Sequence, residues 1–459
     1  MRRPRFLAPA PLALLGAAAV LSLGAASSSR PTLVTVPEIP ASEYAARRER
    51  LAESLRADLG EGQRGVLVLR SVPVIEDWPT PNSPDFFYLT GLEDGGLGLI
   101  LRIGKDKTQE TLLLPPRDRA QEKWIGKRLS SGALEAESGE PDADRREAMK
   151  QTGFEDIDSI EALPKLLDKH LAGAAVLWTT VTEAGLAADP TREQLFADRI
   201  RGRFPSLRIA DSKDNVARLR WVKSAGELAR LQQAIDTTVE SLRDAIGSVR
   251  TAGGEYELQG IIDGGFRRRG ATAFAFPSIV GAGIHSTTLH YEANRGPVRD
   301  GDVVLMDVGA SVGGYSADVT RTVPANGTFT ARQREIYELV LRAQTEAAAL
   351  IKPGALIGDV HAKAKEVIAA AGHEKDFLHG TSHWLGIEVH DVGDRTWPLE
   401  PGVVLTVEPG IYLPSEGFGV RIEDDYLVTA GGSRKLSGRL ASDVATIEKL
   451  TREGAVVKH

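Results

Sequence analysis

Residues 303–322 read VVLMDVGASVGGYSADVTRT, two strand-like runs separated by the glycine pair Gly313 and Gly314. Such a pair suits a tight turn, because glycine accepts the positive φ angles that hairpin turns require. Asp307 and Asp318 lie on opposite sides of the turn, so a hairpin would place their carboxylates side by side. A buried carboxylate is unfavourable without a counter-charge. The segment therefore predicts a hairpin whose two acids are held either by salt bridges or by a metal ion.

Three more potential ligands follow in the C-terminal half: His383 in HGTSHWLG, Glu408 in LTVEPG and Glu423 in GVRIEDD. Together with the two aspartates they make four carboxylates and one imidazole, a set that favours Mn²⁺ or a similar oxygen-preferring ion. Two such ions can hold a hydroxide between them and polarise a carbonyl, which would hydrolyse an amide without a serine or cysteine nucleophile. The pattern predicts a two-metal hydrolase.

Taken singly, each of these residues has an ordinary structural interpretation. Residues 379–393 hold three of the nine histidines and could form a surface loop. Glu408 could be an acid at the end of a strand, stopped by the Pro-Gly pair that follows it. Arg421 and Glu423 share one face of a strand, where they could form a plain ion pair. It is the combination that points to metal.

Composition and charge narrow the function classes. The chain has 459 residues, 42% of them hydrophobic and 26% charged, as in a globular protein that is long enough for two domains. The net charge is −7 and no long basic run follows the first residues, so we expect no nucleic-acid partner. There is no cysteine, which excludes disulfides, thiolate metal sites and a cysteine nucleophile.

The first residues have the pattern of an export signal. Arg2, Arg3 and Arg5 precede an apolar run that ends near the small residues Gly24-Ala25-Ala26. This arrangement predicts a signal peptide over residues 1–28 and a periplasmic or extracellular protein with no stable membrane association after cleavage. The alternative is an uncleaved membrane anchor, because the apolar run approaches the length of a membrane span.

Local patterns predict a first domain of mixed α/β type over residues 29–215, without a catalytic cluster. They indicate a helix at 43–59 and strands at the following positions: 65–70, 86–92, 97–103, 111–116 and 175–180. A second domain over residues 216–459 is predicted to be α+β, with helices against a curved, mostly antiparallel sheet. Its helices are marked by the capping pairs Ser224 with Glu227 and Thr330 with Gln333, and by a pattern at 360–371.

Six segments follow one another along the chain in this order: LHYEANR, MDVGA, YSADVTRT, HGTSHWLG, TVEPG and RIEDD. In these segments and in their order, the chain closely resembles the pita-bread metallopeptidases, and most of all aminopeptidase P. PNSPDFFYLTGLEDGG, residues 81–96, is similar to the first domain of the aminopeptidase P and prolidase branch. The resemblance implies an α+β fold, with a C-terminal pita-bread (creatinase/aminopeptidase-like) domain preceded by a smaller α/β creatinase-type domain. His285 departs from the family, which often has Asn there.

The resemblance also implies roles. Two divalent ions, expected to be Mn²⁺, would be held by Asp307, Asp318, His383, Glu408 and Glu423. Asp318 and Glu423 would bridge the ions, and Glu408 would also accept the proton of the attacking water. His290 and His390 would contact the substrate and stabilise the tetrahedral intermediate. The pocket for proline would be lined by His379, Tyr412 and Arg421.

The implied activity is that of an Xaa-Pro aminopeptidase, which releases the N-terminal residue from peptides with proline in second position. The nearest alternative is a prolidase, which cuts Xaa-Pro dipeptides. Alternatives of another class are a noncatalytic peptide-binding relative and a hydrolase of a nonpeptide amide or organophosphate ester. The family resemblance further implies a homo-oligomer, either a dimer or a tetramer.

Overall fold

The computed structural model describes residues 34–72, 83–133, 141–181 and 189–454. The predicted signal peptide, residues 1–28, lies outside these described residues, and export stays a prediction. Within the described part of the chain, no helix combines the length and the apolar character needed to cross a membrane.

The first part of the chain alternates helices with the strands of one sheet. Its elements are α1 (Ala41–Arg56), β1 (Gly65–Arg70), α2 (Pro84–Thr90), β2 (Gly98–Ile103), β3 (Thr108–Leu114), α3 (Glu122–Ile125), α4 (Ala143–Thr152), β4 (Ile157–Ser159), α5 (Leu163–Leu171), β5 (Val176–Thr179), α6 (Arg192–Arg203), β6 (Arg208–Asp211) and α7 (Lys213–Trp221). The sheet order is β4-β3-β2-β1-β5-β6. β1 runs antiparallel to β2 and parallel to β5, so the sheet is mixed, as predicted for an α/β domain.

One predicted strand, residues 86–92, is wrong, because this segment forms the helix α2. Pro84 stands in the first turn, where its missing N–H is not needed, and Gly91 ends the helix with φ 74°. All residues from Phe86 to Thr90 are buried. A short run that is apolar on every side shows no periodicity, so its sequence cannot distinguish a buried helix from a buried strand.

The second part of the chain holds the remaining elements. They are α8 (Ala225–Ser248), α9 (Glu255–Arg268), β7 (Ala273–Phe274), β8 (Ile279–Ala282), β9 (Val303–Val308), β10 (Ala310–Val312), β11 (Tyr315–Ser316), β12 (Val319–Pro324), α10 (Ala331–Ala348), α11 (Ile357–Ala370), β13 (Val404–Val407), β14 (Gly410–Leu413), β15 (Phe418–Arg421), β16 (Asp424–Thr429), β17 (Gly432–Lys435) and α12 (Val444–Glu453). The capping boxes of α8 and α10 are confirmed, at Ser224 with Glu227 and at Thr330 with Gln333.

Instead of one curved sheet, the strands of this part form four small antiparallel sheets. Their orders are β11-β10-β7, β12-β9-β8, β13-β16-β17 and β14-β15. The sheets divide where one or two residues interrupt the pairing, as at Gly309, between β9 and β10, and at Glu408 and Pro409, between β13 and β14. The predicted antiparallel character is correct, but these breaks split the sheet. The proposed boundary between residues 215 and 216 stays a prediction.

The hairpin predicted from residues 303–322 is present and has two levels. β9 pairs with β12, and beyond them β10 pairs with β11 across Gly313 and Gly314, whose φ angles are 54° and 79°. A Cβ atom on Gly314 would meet the ring of Phe87 in α2. The ring centroids of Phe87 and Tyr315 lie 6.2 Å apart. The tip of the hairpin therefore packs against the first part of the chain.

Candidate metal centre

Three of the five predicted ligands occupy the breaks between sheets. Asp318 lies between β11 and β12, Glu408 between β13 and β14, and Glu423 between β15 and β16. β13 pairs with β16 and β14 pairs with β15, so Glu408 and Glu423 stand opposite each other where the two sheets meet. Asp307 lies in β9, and its register partner is Thr320 of β12. The strand pairing thus gathers the four carboxylates from distant parts of the sequence.

The carboxylates converge on one imidazole. Nε2 of His383 lies 3.4 Å from an oxygen of Asp318, 3.5 Å from Glu408 and 3.9 Å from Glu423. One possible ligand atom each from Asp318, His383 and Glu423 lies within 4.8 Å of the others. Asp307 lines the same cavity, which has a volume of about 500 Å³. The structure therefore brings all five predicted ligands to one place.

Thr406 of β13 holds the backbone of His383 in place, and the Trp384 carbonyl orients the imidazole. The backbone N–H of His383 donates to Oγ1 of Thr406 at 3.2 Å, and the N–H of Thr406 returns a bond to the His383 carbonyl at 3.0 Å. Nδ1 of His383 lies 3.0 Å from the Trp384 carbonyl, which can only accept, so Nδ1 carries the proton. Burial lowers the pKa of His383 to about 4. Nε2 thus presents a lone pair, as a metal ligand must.

Without a cation, this group of carboxylates favours protonation. Burial raises the pKa of Asp318 and of Glu423 well above the ordinary range, and their neighbouring carboxylates raise both further. Burial also raises the pKa of Glu408 to about 8, against the opposing effect of the Arg421 guanidinium. A divalent cation would replace these protons, because its charge favours the ionised form of each carboxylate.

The carboxylates also leave oxygens unused. Among the described residues, Oδ1 of Asp307, Oδ1 of Asp318 and Oε1 of Glu423 are buried without a hydrogen-bond partner. Buried acceptors are normally satisfied, so these atoms call for a partner that is not a protein group. Hard divalent cations take oxygen ligands of this kind together with imidazole nitrogen. The residues present therefore fit a metal centre.

Arg421 pairs with a different acid from the one that the strand pattern suggested. Its Nη2 donates to Oδ2 of Asp307 at 2.6 Å, while Nη1 donates to the hydroxyl of Tyr412 at 2.9 Å. Both side chains of the ion pair are largely buried. Although Arg421 and Glu423 are only two residues apart in the sequence, the ion pair of Arg421 crosses to β9, the strand of Asp307.

A hydrogen-bonded chain extends from this arginine to the cavity. The Tyr412 hydroxyl lies 2.7 Å from Nε2 of His379, and Nδ1 of His379 lies 2.7 Å from the Gly380 carbonyl. Nδ1 must donate to that carbonyl, so the neutral ring accepts the tyrosine proton at Nε2. Burial, followed by the charge of Arg421, lowers the pKa of His379 to about 4. Tyr412 thus stands behind His379 and Arg421, which line the cavity.

The two histidines predicted to contact substrate also line the cavity. His290 follows Leu289 on one wall, and the ring centroid of His390 lies 4.1 Å from that of His383. Burial, followed by the nearby His290, lowers the pKa of His390. A neutral imidazole can still donate one N–H to a substrate oxygen. The wall also includes apolar residues, namely Phe276, Pro277, Ile279, Leu289 and Val389.

His285, the departure from the family pattern, points elsewhere. Its Nδ1 lies 2.8 Å from the buried carboxylate of Glu255, and its ring stacks on Tyr291 with centroids 4.5 Å apart. Glu255 also accepts from the backbone N–H groups of Ala282 and Gly296. In the described part of the chain, His285 is not among the side chains that line the cavity.

Sequence reasoning missed the residues that support the ligands from behind. Oγ1 of Thr320 donates to Oε2 of Glu423 at 2.7 Å and accepts from Nε of Arg421 at 3.2 Å. Arg321 is fully buried and donates to the Glu423 carbonyl at 2.7 Å and to Asp424 at 2.7 Å. Both residues belong to the segment YSADVTRT, in which a Thr-Arg pair next to a predicted ligand was the available signal.

Gln344 of α10 is a second missed support. Its amide nitrogen donates to the Val407 carbonyl at 3.0 Å and to the Ile422 carbonyl at 3.1 Å, the residues just before Glu408 and Glu423. One side chain therefore ties together the two backbone segments that lead into these acids. Nothing in the helical pattern of α10 distinguishes Gln344 from other polar residues. Arg395, which lines the cavity, was missed as well.

Comparisons with known proteins find relatives for both parts of the chain. The family model "Metallopeptidase family M24" matches residues 229–430, and the model "Aminopeptidase P, N-terminal domain" matches residues 44–178. The Xaa-Pro aminopeptidase of Escherichia coli (strain K12) is 32% identical over 451 residues, which cover 90% of this chain and 98% of that protein. The similarity thus spans both parts of the molecule.

Two solved structures show the same overall fold. The zinc-substituted E. coli aminopeptidase P in complex with product has a TM-score of 0.78 at 31% identity, covering 91% of this chain and 99% of that one. The E. coli aminopeptidase P with the inhibitor Pro-Leu has a TM-score of 0.77, also at 31% identity, with the same two coverages. By sequence and fold, this chain belongs to metallopeptidase family M24, in the aminopeptidase P group.

Proposed function

We propose that the protein is an Xaa-Pro aminopeptidase, which removes the N-terminal residue from peptides whose second residue is proline. The observation that carries this proposal is the convergence of Asp318, Glu408 and Glu423 on His383 in one cavity, with Asp307 on its wall. The relatives named as Xaa-Pro aminopeptidases match the chain over nearly its full length, which supports the same activity here.

We propose two Mn²⁺ ions as the native metals, because four carboxylates and one imidazole form an oxygen-rich set. They would be held by Asp307, Asp318, His383, Glu408 and Glu423, with Asp318 and Glu423 shared between them. Bound divalent ions supply Lewis acidity, which lowers the pKa of water and polarises a carbonyl.

The residues around the metals would bind the substrate and move protons. Glu408 would take a proton from water, because its carboxylate lines the cavity and lies 3.5 Å from Nε2 of His383. His290 and His390 would donate N–H groups to the oxygen on which negative charge develops. Since the pKa of His390 is lowered, its imidazole is neutral at pH 7 and acts as a hydrogen-bond donor rather than as a cation.

The proline ring would lie against the wall formed by His379 and Arg421, with Tyr412 behind them. The chain from Arg421 through the Tyr412 hydroxyl to His379 fixes the position of each side chain. Apolar residues such as Phe276 and Leu289 offer the ring a water-excluding surface in the same cavity.

We further propose that the protein is exported to the periplasm or beyond the cell and works as a homo-oligomer, a dimer or a tetramer. The arginines and apolar run of residues 1–28 support export, and the absence of cysteine means that folding needs no oxidative step. Mass spectrometry of the protein from its native host would show whether residues 1–28 are removed. Light scattering of the purified protein would give the assembly state.

The decisive test uses the protein stripped of metal and then given Mn²⁺. We expect metal-dependent release of free arginine from Arg-Pro-Pro and none from the control peptide Arg-Ala-Pro. Cleavage of the dipeptide Ala-Pro alone would instead identify a prolidase. No cleavage of any of the three would leave a noncatalytic peptide-binding protein or a hydrolase of a nonpeptide substrate. The matched variant Asp318→Asn should bind less Mn²⁺ and release no arginine.

A further inference from the structure

A buried cluster of charges lies behind the loop that carries His383 and His390. At its centre, Asp391 receives a hydrogen bond from Arg220 at Oδ1 and one of 3.0 Å from Nζ of Lys223 at Oδ2. The side chains of all three residues are buried. Asp391 is therefore held from both sides by cations that are themselves inside the protein.

Arg220 extends this cluster to two more acids. Its Nη1 donates to Asp85 of α2 at 2.6 Å, and its Nη2 donates to Glu388 at 2.8 Å. Asp85 belongs to the first part of the chain, whereas Glu388 belongs to the loop that carries His383 and His390. One guanidinium thus joins the first domain to the loop. Neither contact reaches the cavity, so the metal centre does not explain them.

The position of Asp391 is coupled to that of His383 through one carbonyl. The backbone N–H of Asp391 donates to the Trp384 carbonyl at 2.9 Å, and Nδ1 of His383 donates to the same oxygen at 3.0 Å. The loop is also tight, because a Cβ atom on Gly386 would overlap the Asp391 carboxylate. A shift of Asp391 would therefore move the carbonyl that orients the imidazole.

The residue before Asp391 is His390, so the contacts of Asp391 with Arg220 and Lys223 also fix the backbone next to a second site residue. Burial alone would raise the pKa of Asp391, but the charges of Arg220 and Lys223 lower it by more. Asp391 is therefore ionised at neutral pH and forms charged hydrogen bonds with both cations. Hydrogen bonds between ionised partners are about twice as strong as neutral ones. In addition, Trp221, between the two cations, packs edge-on against Trp384 with centroids 4.4 Å apart.

We propose that Asp391, clamped by Arg220 and Lys223, is a positioning residue that sets the orientation of His383 toward the metals and of His390 toward the substrate. The expected effect on catalysis rests on the proposed function. The expected effect on the orientation of His383 does not depend on it. Arg220 makes the position of the loop dependent on the first domain, through Asp85.

The test compares Asp391→Asn with Asp394→Asn, an exposed aspartate of the same loop whose carboxylate, among the described residues, accepts hydrogen bonds from Thr396 alone. Both variants and the parent are loaded with Co²⁺, whose visible absorption reports the geometry of its ligands. We expect Asp391→Asn to change the Co²⁺ spectrum and to lower kcat on Arg-Pro-Pro by about tenfold or more, with little change in KM. Asp394→Asn should match the parent in every measurement.

Two results would overturn the proposal. One is a folded Asp391→Asn protein with the parent's Co²⁺ spectrum and kcat. If Asp391→Asn does not fold, Asp85→Asn is measured instead, at a partly exposed site of the first domain. We expect this variant to change the Co²⁺ spectrum and kcat in the same direction, but less. An Asp85→Asn protein with the parent's spectrum and kcat would then overturn the proposal. A parent that shows a Co²⁺ spectrum but cleaves no peptide would refute the proposed function alone.

Discussion

Arg421 and Asp307 form a buried ion pair of 2.6 Å, in which a guanidinium neutralises one carboxylate of the metal centre. The same guanidinium donates to Tyr412 and to Thr320, so it is fixed at three points. This geometry leaves Oδ1 of Asp307 free of hydrogen bonds within the described residues and available to a cation. The ion pair therefore supports the site in the absence of metal while leaving room for it.

Removing this guanidinium should destabilise the metal-free protein more than the metal-bound one. Arg421→Gln is expected to lower the free energy of unfolding by about 3–5 kcal/mol without metal, because it leaves Asp307 buried and without its cation. Bound Mn²⁺ should recover part of the loss by neutralising Asp307. Urea unfolding in EDTA and in Mn²⁺ measures both values. Arg421→Lys, which keeps the charge, should lose less, and equal losses with and without metal would contradict the argument.

Thr320→Val should weaken metal binding without disturbing the packing of β12. Valine has nearly the same shape as threonine, but it cannot donate to Oε2 of Glu423, and groups that orient metal ligands are worth about tenfold or more in affinity. Competition with a chelator measures the change in Mn²⁺ affinity. Thr345→Val, on the exposed side of α10, is the control. If Thr320→Val binds Mn²⁺ as tightly as the parent, then the hydrogen bond does not orient Glu423.

Glu408→Gln should abolish most activity, because the amide cannot accept a proton. A fall in kcat of about 100-fold or more on Arg-Pro-Pro is expected. The metal content of each preparation must be measured together with the rate, since Glu408 is also a predicted ligand. Glu416→Gln, which breaks an exposed ion pair with Arg332, serves as the control. A metal-loaded Glu408→Gln protein with normal kcat would rule out the proton-accepting role.

Metal-free protein should lose stability as the pH rises from about 7 to 8, above the range in which the buried His379 and His383, with pKa values of about 4, change their effect on stability. The pKa of Glu408 is raised from its ordinary 4.5 to about 8, so in this range the folded state binds a proton that the unfolded state has released. Stability falls with pH wherever the folded state binds more protons. Urea midpoints in EDTA at several pH values test the slope, and a rising midpoint would refute it. For the same reason Mn²⁺ binding should release protons, which calorimetry in buffers of different ionisation heat detects.

Much of this architecture is readable in the sequence. The hairpin of residues 303–322, the capping boxes at Ser224 and Thr330, and the α/β character of the first domain follow from local patterns. The helix at Pro84–Thr90 was not predicted, because its residues are buried on all sides and show no period. The division into four small sheets also escaped prediction, because it depends on which strands pair across long distances.

The site was predictable in its residue types more than in its contacts. The carboxylates and His383 carry a recognisable chemistry in order along the chain, and the structure gathers them in one cavity. The partner of Arg421 was not predictable. The two-residue period of a strand shows which residues of the same strand share a face, but it says nothing about contacts with another strand, such as the one to Asp307 of β9. Supports such as Gln344 give no local signal. The roles of His290, His379, His390 and Tyr412 stay predictions until variants are measured.

The glycine turn at the tip of the hairpin has a consequence for how the protein matures. Gly314 lies against Phe87 of α2, and the hairpin that ends there carries both Asp307 and Asp318. The strands with these two acids therefore gain part of their support from a segment that is translated more than two hundred residues earlier. Without α2 the catalytic half would lack the ring that packs on this glycine, so the packing of the hairpin tip is complete only when both halves are folded together.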